Sequence, residues 1–189
     1  IPLNTQLPVL SDQGTYIAGH TQPGWEPGSI VLECSNFTGS TACIGILGDS
    51  CIVDGLYIRN APVGITVQGC KQVRIGSSQY GNTVSGPKNG VGIDAYLVPY
   101  LTVEGNRVGV NPGATATDAQ KMCCGIRLQQ VQKSKILSNI VGGILADGLY
   151  ADGDSIEIRG NFLGTNADGL LPLPNKTSLI IAKAKTQHI

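Results

Sequence analysis

Charged residues, aromatic residues and histidine are all scarce in this sequence, which narrows the functions that it can carry. Only 14% of the 189 residues are charged, 5% are aromatic and two are histidine, and the formal net charge is zero. Because the two signs are scattered and form no basic face, we expect no nucleic-acid partner and no anionic membrane surface. No apolar run approaches the length of a membrane span, and no signal peptide is recognisable.

Carboxyl pairs of the kind that glycoside hydrolases use are also hard to find. Such enzymes need two carboxyl groups that face one another across a groove. The acidic residues that could supply them are Asp94, Glu104, Asp147, Asp152 and Asp154. Asp152 and Asp154 lie in a Gly-flanked loop, where a turn-forming role is favoured over catalysis or calcium binding. His20 is likewise interpreted as a turn residue, so we predict no catalytic residue, no metal ligand and no cofactor.

The few aromatic residues allow two interpretations. A platform on which sugars stack could be built from Trp25, Tyr80, Tyr96, Tyr100 and Tyr150. The favoured interpretation is that these are isolated side chains covering the outside of the fold.

Glycine is abundant, with 26 residues, and much of it belongs to a repeated phrase. The segment 103–111 (VEGNRVGVN) and the segment 158–166 (IRGNFLGTN) place an apolar residue, Gly, Asn, a second apolar residue, Gly and Asn at identical offsets. A diverged copy, 136–142 (ILSNIVG), lies between them. Three occurrences of one phrase indicate a repeat architecture.

Apolar residues alternate at period two before each phrase, as expected of strands buried on one face. The recurring apolar sets are Ile44, Ile46, Val53, Leu56 and Ile58; Ile65, Val67, Val73 and Ile75; Ile93, Ala95, Leu101 and Val103; Ile126, Leu128 and Ile136; Leu149, Ala151, Ile156 and Ile158; and Leu179, Ile181 and Ile189. Such short strands, with no helical period between them, predict an all-β, single-stranded, right-handed parallel β-helix of about six to seven coils.

Asparagine recurs at one offset of the phrase, as Asn106, Asn139 and Asn161. Asn tolerates turn geometry, and its amide can hydrogen-bond the equivalent amide of the next coil. We predict that these three residues form an internal ladder at one corner, and we favour that role over ligand binding.

The six cysteines have irregular spacing and include no Cys-x-x-Cys pair, so a zinc site is not expected. They are Cys34, Cys43, Cys51, Cys70, Cys123 and Cys124. The even count favours disulfides and an oxidising compartment. Cys34 with Cys43 is the preferred pair and Cys51 with Cys70 the second, whereas Cys123 and Cys124 bridge one another or pair elsewhere. Free buried thiols are the alternative.

Two Asn-x-Thr sequons begin at Asn36 and Asn175, both in predicted loops that could accommodate a glycan. Together with the cysteines they predict a secreted or cell-surface glycoprotein.

The segment 14–25 (GTYIAGHTQPGW) resembles the opening of secreted parallel β-helix repeat proteins, mostly bacterial, which read Gly-Thr-x-Ile-Asp-Gly-Thr-Thr-Gln-Pro-Gly-Tyr. The phrases at 160–169 and 139–143 are similar to repeats of the same proteins. This sequence departs from that family at Ala18 and His20. The resemblance implies the fold and secretion, but no chemistry, because members often have no assigned activity.

We expect one domain over 1–189, with an entry segment at 1–43 and regular coils at 44–189. Long excursions, predicted at 76–90, 111–122 and 165–175, would gather on one face. Ile1 and Ile189 both fall within strand patterns and no capping helix is evident, which favours head-to-tail addition of further copies into a filament. The other hypotheses are a carbohydrate-binding or polysaccharide-degrading β-helix, and a passenger segment of a large adhesin; as a fragment, the chain would be capped by coils outside it.

Overall fold

The computed structural model describes residues 1–87, 89–110, 122–166, 168–182 and 187–188, and these form a parallel β-helix. Sheet 1 contains β1 (Tyr16–Ala18), β4 (Ile52–Asp54), β7 (Arg74–Ile75), β10 (Thr102–Glu104), β13 (Lys135–Leu137), β16 (Ile156–Arg159) and β19 (Gln187–His188). Sheet 2 contains β2 (Val31–Glu33), β5 (Tyr57–Arg59), β8 (Thr83–Ser85), β11 (Arg107–Val108), β14 (Ile140–Val141) and β17 (Phe162–Leu163). Sheet 3 contains β3 (Ala42–Ile46), β6 (Val63–Gln68), β9 (Val91–Tyr96), β12 (Cys124–Gln132), β15 (Asp147–Asp154) and β18 (Thr177–Ala182).

Every pairing within these sheets is parallel, and equivalent apolar residues of successive coils lie beside one another. In sheet 3 the register joins Ile44, Ile65, Ile93, Ile126, Leu149 and Leu179. In sheet 1 it joins Val53, Ile75, Val103, Ile136 and Ile158. The predicted alternation is therefore confirmed, and its apolar rows form the core. The slot predicted for Ile189 lies outside the described residues.

Sheet 2 has no counterpart in the predicted strand sets except Ile58. Its inward row consists of Leu32, Ile58, Val84, Val108, Val141 and Leu163. This third wall makes the cross-section of each coil a triangle of short strands.

A column of glycines in sheet 3 keeps that cross-section narrow. It runs through consecutive coils as Gly64, Gly92, Gly125 and Gly148. A Cβ atom on Gly125 would lie 2.4 Å from the carbonyl oxygen of Gly148 and 2.5 Å from a methyl group of Val141. Glycine is required here for space, because the inward valines of sheet 2 pack directly against the backbone of sheet 3.

At the corner between sheets 1 and 2, buried asparagine amides connect successive coils. Asn82 Nδ2 donates to Asn106 Oδ1 (3.0 Å), Asn106 Nδ2 to Asn139 Oδ1 (3.0 Å) and Asn139 Nδ2 to Asn161 Oδ1 (2.9 Å). Asn82 belongs to this ladder although the repeated phrase did not reveal it. Each amide also donates to a backbone carbonyl, such as that of Ile75 for Asn106 (2.9 Å), so these buried polar groups are satisfied.

All six cysteines are free thiols in the structure, so the predicted Cys34–Cys43 and Cys51–Cys70 bonds are not formed in it. The buried thiols of Cys34 and Cys43 interact with one another, which lowers the pKa of Cys34 and raises that of Cys43. Bridging of this pair on oxidation stays a prediction. Burial raises the pKa of Cys70 to about 11. Cys123 is exposed and its neighbour Cys124 is buried.

The two sequons have different surroundings. Asn36 is exposed, and its amide donates only to Asn4 Oδ1 (2.9 Å). Asn175 is half-buried: it donates to the carbonyl of Val141 (3.0 Å) and accepts from the backbone N–H of Ile144 (3.0 Å). A glycan on Asn175 would disturb these coil-to-coil hydrogen bonds, so Asn36 is the better candidate for the predicted glycosylation, which stays a prediction.

Of the predicted excursions, residues 111–121 lie outside the described part of the chain.

Candidate functional site

The carboxylate of Asp54 is the centre of a polar cluster on the outside of sheet 1. Its side chain is only 1% exposed. Its oxygens accept from the Tyr16 hydroxyl (2.9 Å) and contact Nδ1 of His20 (2.8 Å), and Nη2 of Arg74 lies 3.7 Å away. Burial raises the pKa of the Tyr16 hydroxyl, and the hydrogen bond to Asp54 adds to this effect. His20 lies in a turn, as predicted, and its ring is also part of the polar cluster around Asp54.

Local backbone packing brings these residues together. β1 pairs with β4 so that Ala18 lies beside Asp54. The chain then enters a 3₁₀ turn, Gly19–Thr21, which carries His20 over the carboxylate. Gly19 permits this approach, because a Cβ atom there would lie 2.4 Å from the carbonyl oxygen of Gly55.

Three aromatic rings extend the cluster outward. The His20 ring stacks on Tyr80 with 3.8 Å between centroids and 6° between planes. Trp25 meets Tyr80 edge to face at 5.6 Å, and its Nε1 donates to the carbonyl of Gly55 (2.9 Å). The indole ring is thus fixed both by its contact with Tyr80 and by the hydrogen bond of its nitrogen. Because the ring is already ordered, a ligand that binds to it does not have to pay the entropic cost of ordering it.

Beside Trp25 lies a polar cleft of about 210 Å³, which we call the lateral cleft. Its lining residues are Trp25, Pro27, Ser78, Gln79, Gly81, Gly105, Arg107, Ser138 and Ile140. They come from the 22–29 turn, the turn after β7, the corner that carries the asparagine ladder, and the first residues of β11 and β14. Hydroxyl, amide and guanidinium groups therefore surround one aromatic wall.

Among the described residues, Arg107 is the only charged one that lines the lateral cleft. It occupies the outward row of sheet 2, between Thr83 and Ile140. Its Nε atom is buried and has no hydrogen-bond partner among the described residues. In the described part of the chain no carboxylate lines the cleft to neutralise it.

The acidic residues that were weighed for catalysis are not brought together. Asp94 is held by Arg127 through two hydrogen bonds of 2.9 and 2.7 Å. Asp152 and Asp154 lie on β15 rather than in a separate loop, and no group of His, Cys, Asp or Glu in the described residues could hold a metal ion. Of the proposed aromatic platform, Trp25 and Tyr80 do meet, whereas Tyr96 and Tyr100 are exposed and neither lines the cleft.

Comparison with protein-family models, curated proteins and solved structures gives no match. The likeness to secreted β-helix repeat proteins thus remains a prediction drawn from short motifs. None of the described segments forms a helix long and apolar enough to cross a membrane.

Proposed function

We propose that this protein is an extracellular β-helix that binds carbohydrate in the lateral cleft. The observation that carries the proposal is the fixed Trp25 ring beside the hydroxyl and amide groups of Ser78, Gln79 and Ser138. A sugar ring offers an apolar C–H face to an aromatic wall and hydroxyl groups to polar side chains. Ligand sites of this kind combine an apolar surface with a few convergent polar groups.

Binding is favoured over polysaccharide cleavage. Hydrolysis of a glycosidic bond generally uses two carboxyl groups, and the lining of the lateral cleft contains none. The carboxylate of Asp54, in the neighbouring polar cluster, is already bound by Tyr16 and His20.

Removal of the aromatic wall should weaken glycan binding with little effect on folding. We expect Trp25→Ala to lose about 2 kcal/mol of binding free energy toward a glycan identified on an array, as for a central aromatic contact. Tyr100→Ala is the matched control, because this exposed tyrosine is absent from the cleft lining. Equal affinity of both variants and the parent, measured by calorimetry, would refute the assignment of the cleft.

End-to-end assembly into a fibre is a second candidate function, favoured by an apolar cavity of about 520 Å³ in the first coils. Its lining includes Leu7, Ile17, Ile30 and Leu32, which belong to or pack against the core. β1 is the first strand of sheet 1, so another chain could extend that sheet. The outer edges of β2 and β3 are already hydrogen-bonded to residues 1–3 and to Leu10. A second copy placed here would bury the apolar lining and continue sheet 1.

If copies assemble in this way, Ile17→Lys should shift the native protein from filaments to monomer, because a charge would be buried at the joint. Leu97→Lys is the control, since Leu97 is exposed and does not line this cavity. Size-exclusion chromatography and negative-stain microscopy provide the measurement. A parent protein that is monomeric at every concentration tested contradicts the assembly hypothesis.

A further inference from the structure

We infer that the lateral cleft selects anionic sugars, and that Arg107 binds the carboxylate or sulfate group. This inference rests on the proposed function and adds the ligand class. A guanidinium needs acceptors for five N–H donors, and it pairs best with planar oxyanions in a bidentate geometry. Arg107 supplies these N–H donors, and no described residue supplies an acceptor for its side chain.

The other outward-facing arginines show what the chain does when an arginine serves structure alone. Arg59 pairs with Glu33 (2.5 Å), Arg127 with Asp94 (2.7 Å) and Arg159 with Glu157 (3.2 Å). Arg74 also has a buried Nε without a hydrogen-bond partner, but its Nη2 lies 3.7 Å from the Asp54 carboxylate. Arg107 differs from these four, because no described residue forms an ion pair or side-chain hydrogen bond with it.

The position of Arg107 in the repeat also sets it apart. The equivalent residues in the next two coils are Ile140 and Phe162, and the preceding one is Thr83. An uncharged side chain therefore satisfies the fold at this slot. The fold therefore does not require a cation in this row, and Arg107 shares the lining of the cleft with Trp25, where it can serve a bound anion.

An anionic sugar bound in the cleft would make two main contacts with the protein. The indole of Trp25 supports the sugar ring, and the guanidinium of Arg107 receives the acidic group on its rim, with Ser78 and Ser138 as further hydroxyl partners. Neutral sugars would keep the contact with Trp25 and would lose the contact that an acidic group makes with Arg107. A buried donor left without an acceptor is costly, so the cleft should discriminate against them.

The experiment uses the fluorescence of Trp25 as its reporter. Trp25 is the single tryptophan of the chain, so the signal comes from the cleft. Oligouronates, their methyl esters and sulfated oligosaccharides are titrated against the whole chain, and quenching of indole fluorescence gives the affinity. The ester lacks the negative charge of the acid and carries one additional methyl group. We expect the acid to bind about ten- to a hundredfold more tightly than the ester, with a preference that weakens as salt is raised.

Arg107→Gln should remove the preference for the acid while retaining ester binding, and Arg107→Lys should keep a part of it because it retains the charge. Arg159→Gln is the matched control: it removes one exposed positive charge outside the cleft. Circular dichroism establishes that each variant is folded. The relative affinities for uronates and sulfated sugars identify which oxyanion is preferred.

Two failures can be told apart. Equal binding of acid and ester, or an undiminished preference in Arg107→Gln, overturns the role of Arg107 and leaves carbohydrate binding intact. No binding of any charged or neutral glycan refutes the proposed function itself.

Discussion

Asn106→Ala is expected to destabilise the protein by about 3 to 5 kcal/mol, which is among the largest effects of a single polar truncation. The Asn106 side chain is completely buried. Its Oδ1 accepts from the backbone N–H and from Nδ2 of Asn82 (3.0 Å each), and its Nδ2 donates to Ile75, Glu104 and Asn139. Truncation leaves buried groups on neighbouring coils without partners, and each costs about 1 to 3 kcal/mol before relaxation.

Asn161→Ala is the control, because Asn161 has the same place in the repeat but is only half-buried. Water can replace part of what that variant loses, so a smaller shift of the urea midpoint is expected. The midpoints of both variants are compared with the parent by far-UV circular dichroism. Equal midpoints for Asn106→Ala and the parent would show that the ladder contributes nothing to stability.

Gly125→Ala is expected to cost about 3 kcal/mol, although it adds a single methyl group. That methyl would lie 2.4 Å from the Gly148 carbonyl oxygen, an atom of the backbone that cannot rotate aside. Relief requires β12 and β15 to separate, which weakens their shared hydrogen bonds. Because the backbone of Gly125 does not require a positive φ, the cost arises from space alone.

Gly45→Ala is the matched control on another strand of sheet 3. There the new methyl would be 3.3 Å from a Val9 side chain and no closer to any backbone atom, so a change below about 1 kcal/mol is expected. Thermal or urea unfolding distinguishes the two variants. Similar losses in both would mean that the close approach between coils is accommodated without strain.

The sequence alone was sufficient to predict a parallel β-helix, but it did not reveal that each coil has a third sheet. Sheets 1 and 3 were predicted because their strands show alternation, as in Ile65 and Val67. Sheet 2 was not, because strands such as β11 and β14 have two residues and cannot show a period. Val108 and Val141 were noticed only as parts of a repeated phrase.

The candidate site was harder to predict, because its members meet only when the coils are stacked. Trp25 and Tyr80 were grouped in a possible aromatic platform, but His20 was considered apart from them. The 14–25 segment precedes the regular repeats, so nothing in its spacing indicated that His20 would lie over Asp54. For Arg107 a signal was present: it is the one charged residue at a repeat position that holds Ile140 and Phe162 in later coils.

The asparagine ladder also gives the molecule a dipole moment along the stack of coils. In every step from Asn82 to Asn161 the oxygen of the amide points toward the earlier coil and its NH₂ group toward the later one. The amide dipoles therefore add along the long axis, and each bond polarises the next. Two such rods placed end to end would find their dipoles aligned in one orientation and opposed in the other, so that any growing polymer of this chain would have a plus and a minus end.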